Sequence, residues 1–295
     1  MVRGARRWGA RRRGKRAPAP CGEPSGHQRH GQQSRPATRR SGAMIASLPM
    51  YDRPELRDAH DAYWQLISQN LGAGAPATLT RDGDLWEIWQ SPDLVLAQTC
   101  GFPYRARLHD KVTLVGTPDY GLPGCPPGHY NSVLIARAED RRDLAALGEA
   151  RFAYNEAMSQ SGWAAAASHF AEAGLPLNPV LQTGGHALSA HAVASGEADL
   201  AAIDALSWAL FLRHEPEVAS GLREVTRTAP TPALPYIARA GADGPAIFDA
   251  IRRAIDALSP DHRAALHLRG ICVISPAAYR AVPTPPPPGL AAVSG

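Results

Sequence analysis

A short apolar run at 151–154 is followed by the polar segment 155–162, and an alanine-rich helical pattern begins there. The order strand, polar turn, helix is typical of an α/β fold. Such a turn leaves free backbone N–H groups at the positive end of the helix dipole. Ser159, Gln160 and Ser161 add side-chain donors at the same place, so the turn is suited to binding an anion. The alternative is an ordinary helix N-cap, because serine and asparagine begin many helices.

The same alternation of strand and helix runs along most of the chain. We predict strands at 44–50, 93–99, 111–118, 132–137, 151–154, 179–182, 198–204, 222–228, 234–240 and 270–274. We predict helices at 53–71, 85–89, 161–173, 187–196, 205–213, 245–258 and 260–268. This alternation indicates an α/β protein with mostly parallel sheets. No apolar run approaches the roughly 20 residues of a membrane-spanning helix.

Charge is divided unevenly along the chain. Residues 1–43 carry twelve arginines and lysines against one acid, Glu23, whereas the rest carries 19 basic and 26 acidic residues. We expect residues 1–43 to be a disordered basic extension, or to lie upstream of a true start at Met44. The acidic remainder argues against specific nucleic-acid binding. Residues 284–295 are expected to form a solvated Pro-rich tail.

Targeting and cysteine patterns are sparse. The basic start is not followed by the apolar segment of a secretory signal, so we expect none, and a cytosolic location stays open. The four cysteines are scattered without a CxxC pair, which argues against a zinc or thioredoxin-type site. Cys100 is expected to be a packed residue, and a single disulfide is left open.

Several predicted strands end in small or polar residues. Tyr51 follows the first strand, Thr99 ends the second, Thr183-Gly-Gly-His186 opens a helix, and Asp204 ends a strand. In open α/β sheets ligands bind at the carboxyl ends of strands, so these residues can meet in one cleft. Each also has a simpler explanation: His186 as a surface residue, Asp204 as a helix cap, and Tyr51 and Tyr104 as core aromatics.

Signatures of catalysis are missing from the sequence. Ser161 lacks the preceding glycine of a nucleophile elbow, and the chain has neither a P-loop nor a GxGxxG motif. No His/Glu cluster has metal-ligand spacing. We therefore expect a binding protein rather than an enzyme, with no cofactor or metal.

Taken in order, five segments resemble the phosphate/phosphite/phosphonate substrate-binding proteins of ABC transporters, which have the type II periplasmic-binding-protein fold. The segments are 45–51, 94–101, 154–162, 183–186 together with 192–199, and 203–204.

The resemblance implies two α/β lobes joined by two crossover strands, with a ligand cleft between them that closes by hinge bending. Lobe 1 would comprise 44–130 and 228–283, and lobe 2 would comprise 131–227. The hinges would then lie near Asn131 and Arg227.

The resemblance also implies roles for individual residues. Phosphoryl oxygens would bind at Ser159, Gln160 and Ser161, and His186 and Asp204 would complete the site. Tyr51 and Tyr104 of lobe 1 would face them. Gln160 stands where the family more often has a smaller hydroxyl residue. Asp204 would repel a bare phosphoryl group, so the ligand is expected to offer a hydrogen-bond donor.

We therefore expect a monomeric solute-binding protein that captures a small oxyanion, phosphate or a phosphonate, for an ABC importer with a membrane permease partner. Two alternatives stay open: a cytosolic ligand sensor on the same fold, and an enzyme that reuses the cleft. The family is usually periplasmic, whereas the expected lack of a signal favours the cytosolic alternative.

Overall fold

The computed structural model describes residues 42–289 of the chain. The described residues exclude 1–41 of the predicted basic extension (1–43) and 290–295 of the predicted Pro-rich tail (284–295). The strands are β1 (Ile45–Ser47), β2 (Leu94–Gln98), β3 (Val112–Asp119), β4 (His129–Tyr130), β5 (Ser132–Arg137), β6 (Arg151–Tyr154), β7 (Asn178–Gln182), β8 (Leu200–Asp204), β9 (Leu222–Arg227), β10 (Thr231–Pro232), β11 (Tyr236–Arg239) and β12 (Gly270–Cys272).

The helices alternate with these strands. They are α1 (Arg57–Leu71), α2 (Leu85–Trp89), α3 (Gly101–Pro103), α4 (Leu144–Gly148), α5 (Ala165–Glu172), α6 (His186–Ala194), α7 (Ala205–His214), α8 (Pro216–Ala219), α9 (Gly244–Ala257), α10 (Pro260–Ala265) and α11 (Pro276–Arg280). Two π-helical segments, Tyr104–Leu108 and Gln160–Ala164, follow α3 and precede α5, and 3₁₀ turns lie at Pro49–Tyr51 and Pro54–Leu56.

Two five-stranded sheets give the molecule its two lobes. The first has the order β1-β2-β11-β3-β12 and the second has the order β7-β6-β8-β5-β9, while β4 pairs with β10. The first sheet is built from both ends of the described chain, and the second from its middle. The fold is therefore the two-lobed α/β arrangement expected from the sequence.

The expectation of mostly parallel sheets is wrong. Only β1–β2, β6–β7 and β6–β8 are parallel among the ladders of the described residues, and the others are antiparallel. The reason is the crossing between the sheets: β5 runs antiparallel to both β8 and β9, and β11 returns antiparallel to β2 and β3. Alternation along the chain cannot reveal a strand that arrives from another sheet.

The first sheet is covered by α1 and α9, which pack on each other. In α9 the apolar residues recur every four positions, so Ile247, Ile251 and Ile255 form one buried face. Each such side chain contributes about 1.5–3 kcal/mol when it is buried. The second sheet is buried on both faces at β5, where Val133 and Leu134 are both inaccessible to water. The largest apolar core is continuous between the two sheets, since it includes Ala46 of β1 and Val133 of β5.

The two connections between the sheets run side by side. Thr228 donates its N–H to the carbonyl of Ser132 at 2.9 Å, and Ser132 donates its N–H to Thr228 Oγ1 at 3.0 Å. The pair β4–β10 continues the same two connections into the first half of the molecule. These bonds tie the two crossing segments to each other.

The Pro-rich tail is not free in solvent along its described part. Trp163 Nε1 donates to the carbonyl of Pro286 at 2.9 Å, and Arg105 Nε donates to Thr284 Oγ1 at 2.8 Å. A proline-rich segment keeps its carbonyl acceptors unpaired within the chain, so side-chain donors can bind them. No helix within 42–289 is long and apolar enough to span a membrane.

Candidate functional site

A cavity of about 330 Å³ lies where the carboxyl ends of strands from both sheets meet. On the side of the first sheet, which is built from both ends of the described chain, the cavity is lined by Pro49, Met50, Tyr51, Leu85, Trp89, Cys100, Pro103 and Leu234. On the side of the second sheet, the cavity is lined by Asn155, Glu156, Met158, Ser159, Ser161, Gly184, Gly185, His186, Asp204 and Ser207. Two larger hollows, of about 420 and 810 Å³, lie elsewhere on the molecule and contain fewer of the predicted residues.

The turn at Ser159 opens on this cavity. Ser159 is the N-cap of the following π-helical turn, and its Oγ accepts the N–H of Gly162 at 3.0 Å. Its backbone carbonyl accepts the N–H of Ala164 at 3.0 Å. The capping role considered from the sequence is therefore present. It coexists with a position on the cavity wall, because Ser159 and Ser161 both line it.

His186 connects this turn with α6. It is the first residue of α6, and its Nε2 lies 3.0 Å from Ser161 Oγ. Burial lowers the pKa of His186 to about 4, so the imidazole is neutral at pH 7. His186 can therefore donate or accept a hydrogen bond here without bringing a positive charge.

Asp204 is the last residue of β8 and the N-cap of α7. Its carboxylate accepts the N–H of Ser207 at 2.9 Å and the hydroxyl of Tyr51 at 2.9 Å. Burial raises the pKa of Asp204 to about 6, and the two hydrogen bonds oppose that shift. Asp204 thus lies near its ionisation point at neutral pH. It can accept from a ligand donor or carry a proton itself.

Tyr51 brings the first half of the molecule to the site. It lies in the 3₁₀ turn Pro49–Tyr51 after β1, and its ring packs edge-on against Tyr120 with 5.3 Å between the ring centroids. Burial raises the pKa of the Tyr51 phenol, so the hydroxyl stays protonated and donates to Asp204.

Three predicted site residues do not line this cavity. Thr99 is fully buried and donates its N–H to the carbonyl of Pro235 at 3.1 Å. Tyr104 turns into the core and packs edge-on against Tyr279 at 5.1 Å. Gln160 points away from the cavity, because its side-chain oxygen accepts a hydrogen bond from Arg105.

Sequence reasoning missed two buried polar groups near the site. Asn155 Oδ1 lies in the wall and has no hydrogen-bond partner among the described residues, and the same holds for the hydroxyl of Tyr130. Burial raises the pKa of Tyr130, and the neighbouring Cys100 and Asp204 raise it further. The signal for Asn155 was its place directly after β6. Nothing in the local sequence distinguishes Tyr130.

Cys100 behaves as a packed thiol. Its Sγ accepts the backbone N–H of Gln160 at 3.2 Å, and burial raises its pKa. Cys100, Cys125 and Cys272 are free thiols. No group of His, Cys, Asp and Glu side chains within 42–289 is arranged to hold a metal ion.

Comparison with known proteins gives consistent results for the fold. The chain is similar to XAC2383 from Xanthomonas citri bound to chloride ion (15% identity, 82% of this chain and 95% of that chain, TM-score 0.61). It is similar to PhnD1 from Prochlorococcus marinus in complex with methylphosphonate (16%, 81% and 95%, TM-score 0.61). It is also similar to a binding protein component of an ABC phosphonate transporter from Pseudomonas aeruginosa (17%, 78% and 80%, TM-score 0.58).

At these identities the structural similarity establishes the fold alone. A comparison with curated proteins finds no match. The family model of the periplasmic substrate-binding protein of phosphonate ABC transporters matches residues 45–280, most of the chain. The chain therefore belongs to the family of periplasmic phosphonate-binding proteins of ABC transporters.

Proposed function

We propose that this protein captures a small phosphonate or related oxyanion in the cleft, without catalysis, and delivers it as a monomer to an ABC permease. One observation carries the proposal: Tyr51, Ser161, His186 and Asp204 come from four distant segments and line one cavity. The family match supports transport over the alternative of a cytosolic sensor.

The donors of the site suit an oxyanion. The backbone N–H groups of Ser159 and Gln160 are used within the protein, by Glu156 and Cys100, so the turn offers the N–H of Ser161 at a helix start. The side chains of Ser161 and neutral His186 add further groups. Asp204 sets a condition on the ligand, because a carboxylate repels a fully ionised phosphoryl group. The ligand therefore brings an amine or a protonated oxygen, or Asp204 takes up a proton when the ligand binds.

Closure of the two lobes would trap this ligand. Three contacts support a closed arrangement: Tyr51 with Asp204, Arg53 with Glu215 at 2.8 Å, and Cys100 Sγ with the N–H of Gln160. We propose that the lobes comprise 44–130 with 228–283 and 131–227, and that they rotate about hinges near Asn131 and Arg227. The permease would recognise the closed form.

The Ser161–His186 contact also resembles a nucleophile and its base. Two observations favour binding over catalysis. A pKa of about 4 makes His186 a weak base at neutral pH. Among the described residues, no carboxylate lies within 4 Å of His186 to orient its ring, whereas His109 and His191 both have such a partner.

The test is titration calorimetry of the full chain with inorganic phosphate, phosphite, methylphosphonate, 2-aminoethylphosphonate and sulfate. Ser161→Ala should weaken binding by about 1–3 kcal/mol, as expected when a hydrogen bond to a charged group is lost. Ser168→Ala, in the same helical stretch but outside the cleft, is the matched control and should bind normally. Unchanged affinity in the double variant of Ser161→Ala with His186→Ala would remove the site assignment.

A further inference from the structure

The cleft has no cationic side chain of its own. Among the described residues that line it, none is a lysine or an arginine, and two are acids, Glu156 and Asp204. His186 is neutral at pH 7. An anion in this cleft is therefore surrounded by dipoles and acids, and no side chain of the wall brings a positive charge to it.

A buried cation without a counter-ion lies directly behind that wall. Arg105 is only 6% exposed. Among the described residues, no carboxylate lies within 4 Å of its guanidinium. Its hydrogen-bond acceptors are all neutral: Gln160 Oε1 at 2.6 Å, the carbonyl of Pro283 at 2.6 Å and Thr284 Oγ1 at 2.8 Å. The guanidinium also lies 4.5 Å from the centre of the Phe102 ring. Buried arginines are normally paired, because an unpaired buried charge is unfavourable.

Gln160 joins this cation to the anion-binding turn. It stands between Ser159 and Ser161, which both line the cleft. Its side chain accepts from Arg105, and its backbone N–H donates to Cys100 Sγ, another group of the cleft wall. The charge of Arg105 thus lies one side chain behind the helix start. A serine in place of Gln160 would be too short to reach the guanidinium.

The described part of the Pro-rich tail keeps this arrangement away from water. Pro283 and Thr284 cover the guanidinium with their oxygens, and Trp163 holds the carbonyl of Pro286 at 2.9 Å. Charges interact more strongly when water is excluded, since the local dielectric is lower. A guanidinium stays protonated at neutral pH despite burial.

We infer that Arg105 is the counter-charge of the bound anion and acts as a positioning residue through Gln160 without touching the ligand. This inference rests on the proposed function. It explains both the unpaired buried cation and the missing cation in the cleft wall. It also predicts that Arg105 raises the binding affinity of a dianion more than that of a monoanion of the same shape.

The experiment compares Arg105→Met, which removes the charge, with Arg105→Lys, which keeps it but cannot make the same three hydrogen bonds. Arg107→Met is the matched control, because Arg107 is an exposed arginine of the same helical turn and lies over the Trp86 ring. Inorganic phosphate and methylphosphonate are titrated into each full-length variant by calorimetry at pH 6 and pH 8. These probes pass from monoanion to dianion over this range.

Arg105→Met should weaken dianion binding about tenfold or more and monoanion binding less. Arg105→Lys should stay within about threefold of the wild type, and Arg107→Met should match it. Equal losses in Arg105→Met and Arg105→Lys would overturn the inference, since they would indicate a hydrogen-bonding role. Wild-type affinity in Arg105→Met would overturn it as well.

Thermal unfolding followed by circular dichroism checks that each variant is folded. If Arg105→Met does not fold, Arg105→Lys decides alone, because only a charge role predicts that lysine preserves the preference for the dianion. If the wild type binds none of the oxyanions tested, the proposed function fails, and the inference fails with it. If the wild type binds an oxyanion and the Arg105 variants bind it equally well, the proposed function stands and only the inference about Arg105 fails.

Discussion

The hydroxyl of Tyr51 donates to Asp204 Oδ2 at 2.9 Å and links the segment after β1 to the last residue of β8. The two residues belong to different halves of the molecule, and both are buried. The acceptor is a carboxylate that also accepts the N–H of Ser207, and the Tyr51 bond is stronger when Asp204 is ionised. This contact joins the carboxylate of the site to the sheet that contains β1.

Tyr51→Phe should therefore destabilise the ligand-free protein by about 1.5–3 kcal/mol at pH 7.5, the usual range for a hydrogen bond to a charged group. The matched control is Tyr63→Phe, which removes a neutral contact of 3.3 Å to Tyr236. The free energy of unfolding of Tyr63→Phe should fall by less, about 0.5–1.5 kcal/mol. Urea denaturation measures both variants. Equal losses would mean that the Tyr51 bond gains nothing from the carboxylate charge.

The pH dependence of stability should contain two opposing contributions. The pKa of Asp204 is about 6 in the folded protein and about 3.9 when unfolded, so its contribution is present below pH 4 and lost as the pH rises through 6. The pKa of His186 is about 4 when folded and about 6.5 when unfolded, so its contribution is lost as the pH falls through this range.

Single substitutions should expose each contribution. As the pH rises from 4 to 7, the wild type loses the stabilisation that comes from Asp204, and Asp204→Asn does not. The free energy of unfolding of Asp204→Asn should therefore rise by up to about 3 kcal/mol relative to that of the wild type over this range. The free energy of unfolding of His186→Gln should fall relative to that of the wild type as the pH rises over the same range. Urea denaturation at several pH values in this range measures both. Profiles parallel to the wild type would contradict the assigned pKa shifts.

Proton uptake on binding should report the chemistry of the ligand. An oxyanion beside Asp204 favours the protonated carboxyl group and raises its pKa further above about 6. Methylphosphonate should therefore bind with net proton uptake near pH 7, whereas 2-aminoethylphosphonate, whose amine pairs with the carboxylate, should not.

Calorimetry in buffers of different ionisation enthalpy measures this uptake. Asp204→Asn is the control, and it should abolish the difference between the two ligands. Uptake that persists in Asp204→Asn would assign the proton to another group.

Local sequence was enough for elements with clear boundaries. The strand at 151–154 has the predicted limits, and so does α2, whose Asp84 cap accepts two N–H groups. The meeting of Ser161, His186 and Asp204 at one cavity also follows the rule that ligands bind at the carboxyl ends of strands.

Sequence could not predict the surroundings of Arg105. Its partners Gln160 and Pro283 lie 55 and 178 residues away along the chain. The register of the π-helical turn after Pro103 decides that Tyr104 enters the core while Arg105 reaches Gln160. Neither the pairing nor the register leaves a periodic pattern in the sequence. The same holds for the contact of Trp163 with the Pro-rich tail, because any exposed carbonyl could accept that bond.

Gly162 should be required for the shape of the anion-binding turn. A Cβ atom at this position would lie 1.8 Å from Asn155 Oδ1 and 3.2 Å from Ser159 Oγ. Gly162→Ala must therefore displace Asn155 from the cavity wall or distort the Ser159 cap. We expect a loss of about 1–3 kcal/mol in stability and of about tenfold or more in oxyanion affinity.

Gly101→Ala is the matched control, because its added Cβ would meet no atom closer than 3.8 Å. Gly101 is also buried and lies beside the cleft, yet alanine there makes only ordinary contacts. Thermal unfolding and calorimetry with methylphosphonate compare the two variants. If Gly162→Ala retains the affinity and stability of Gly101→Ala, Asn155 can move without consequence. The packing of the Asn155 amide against the turn would then not define the binding site.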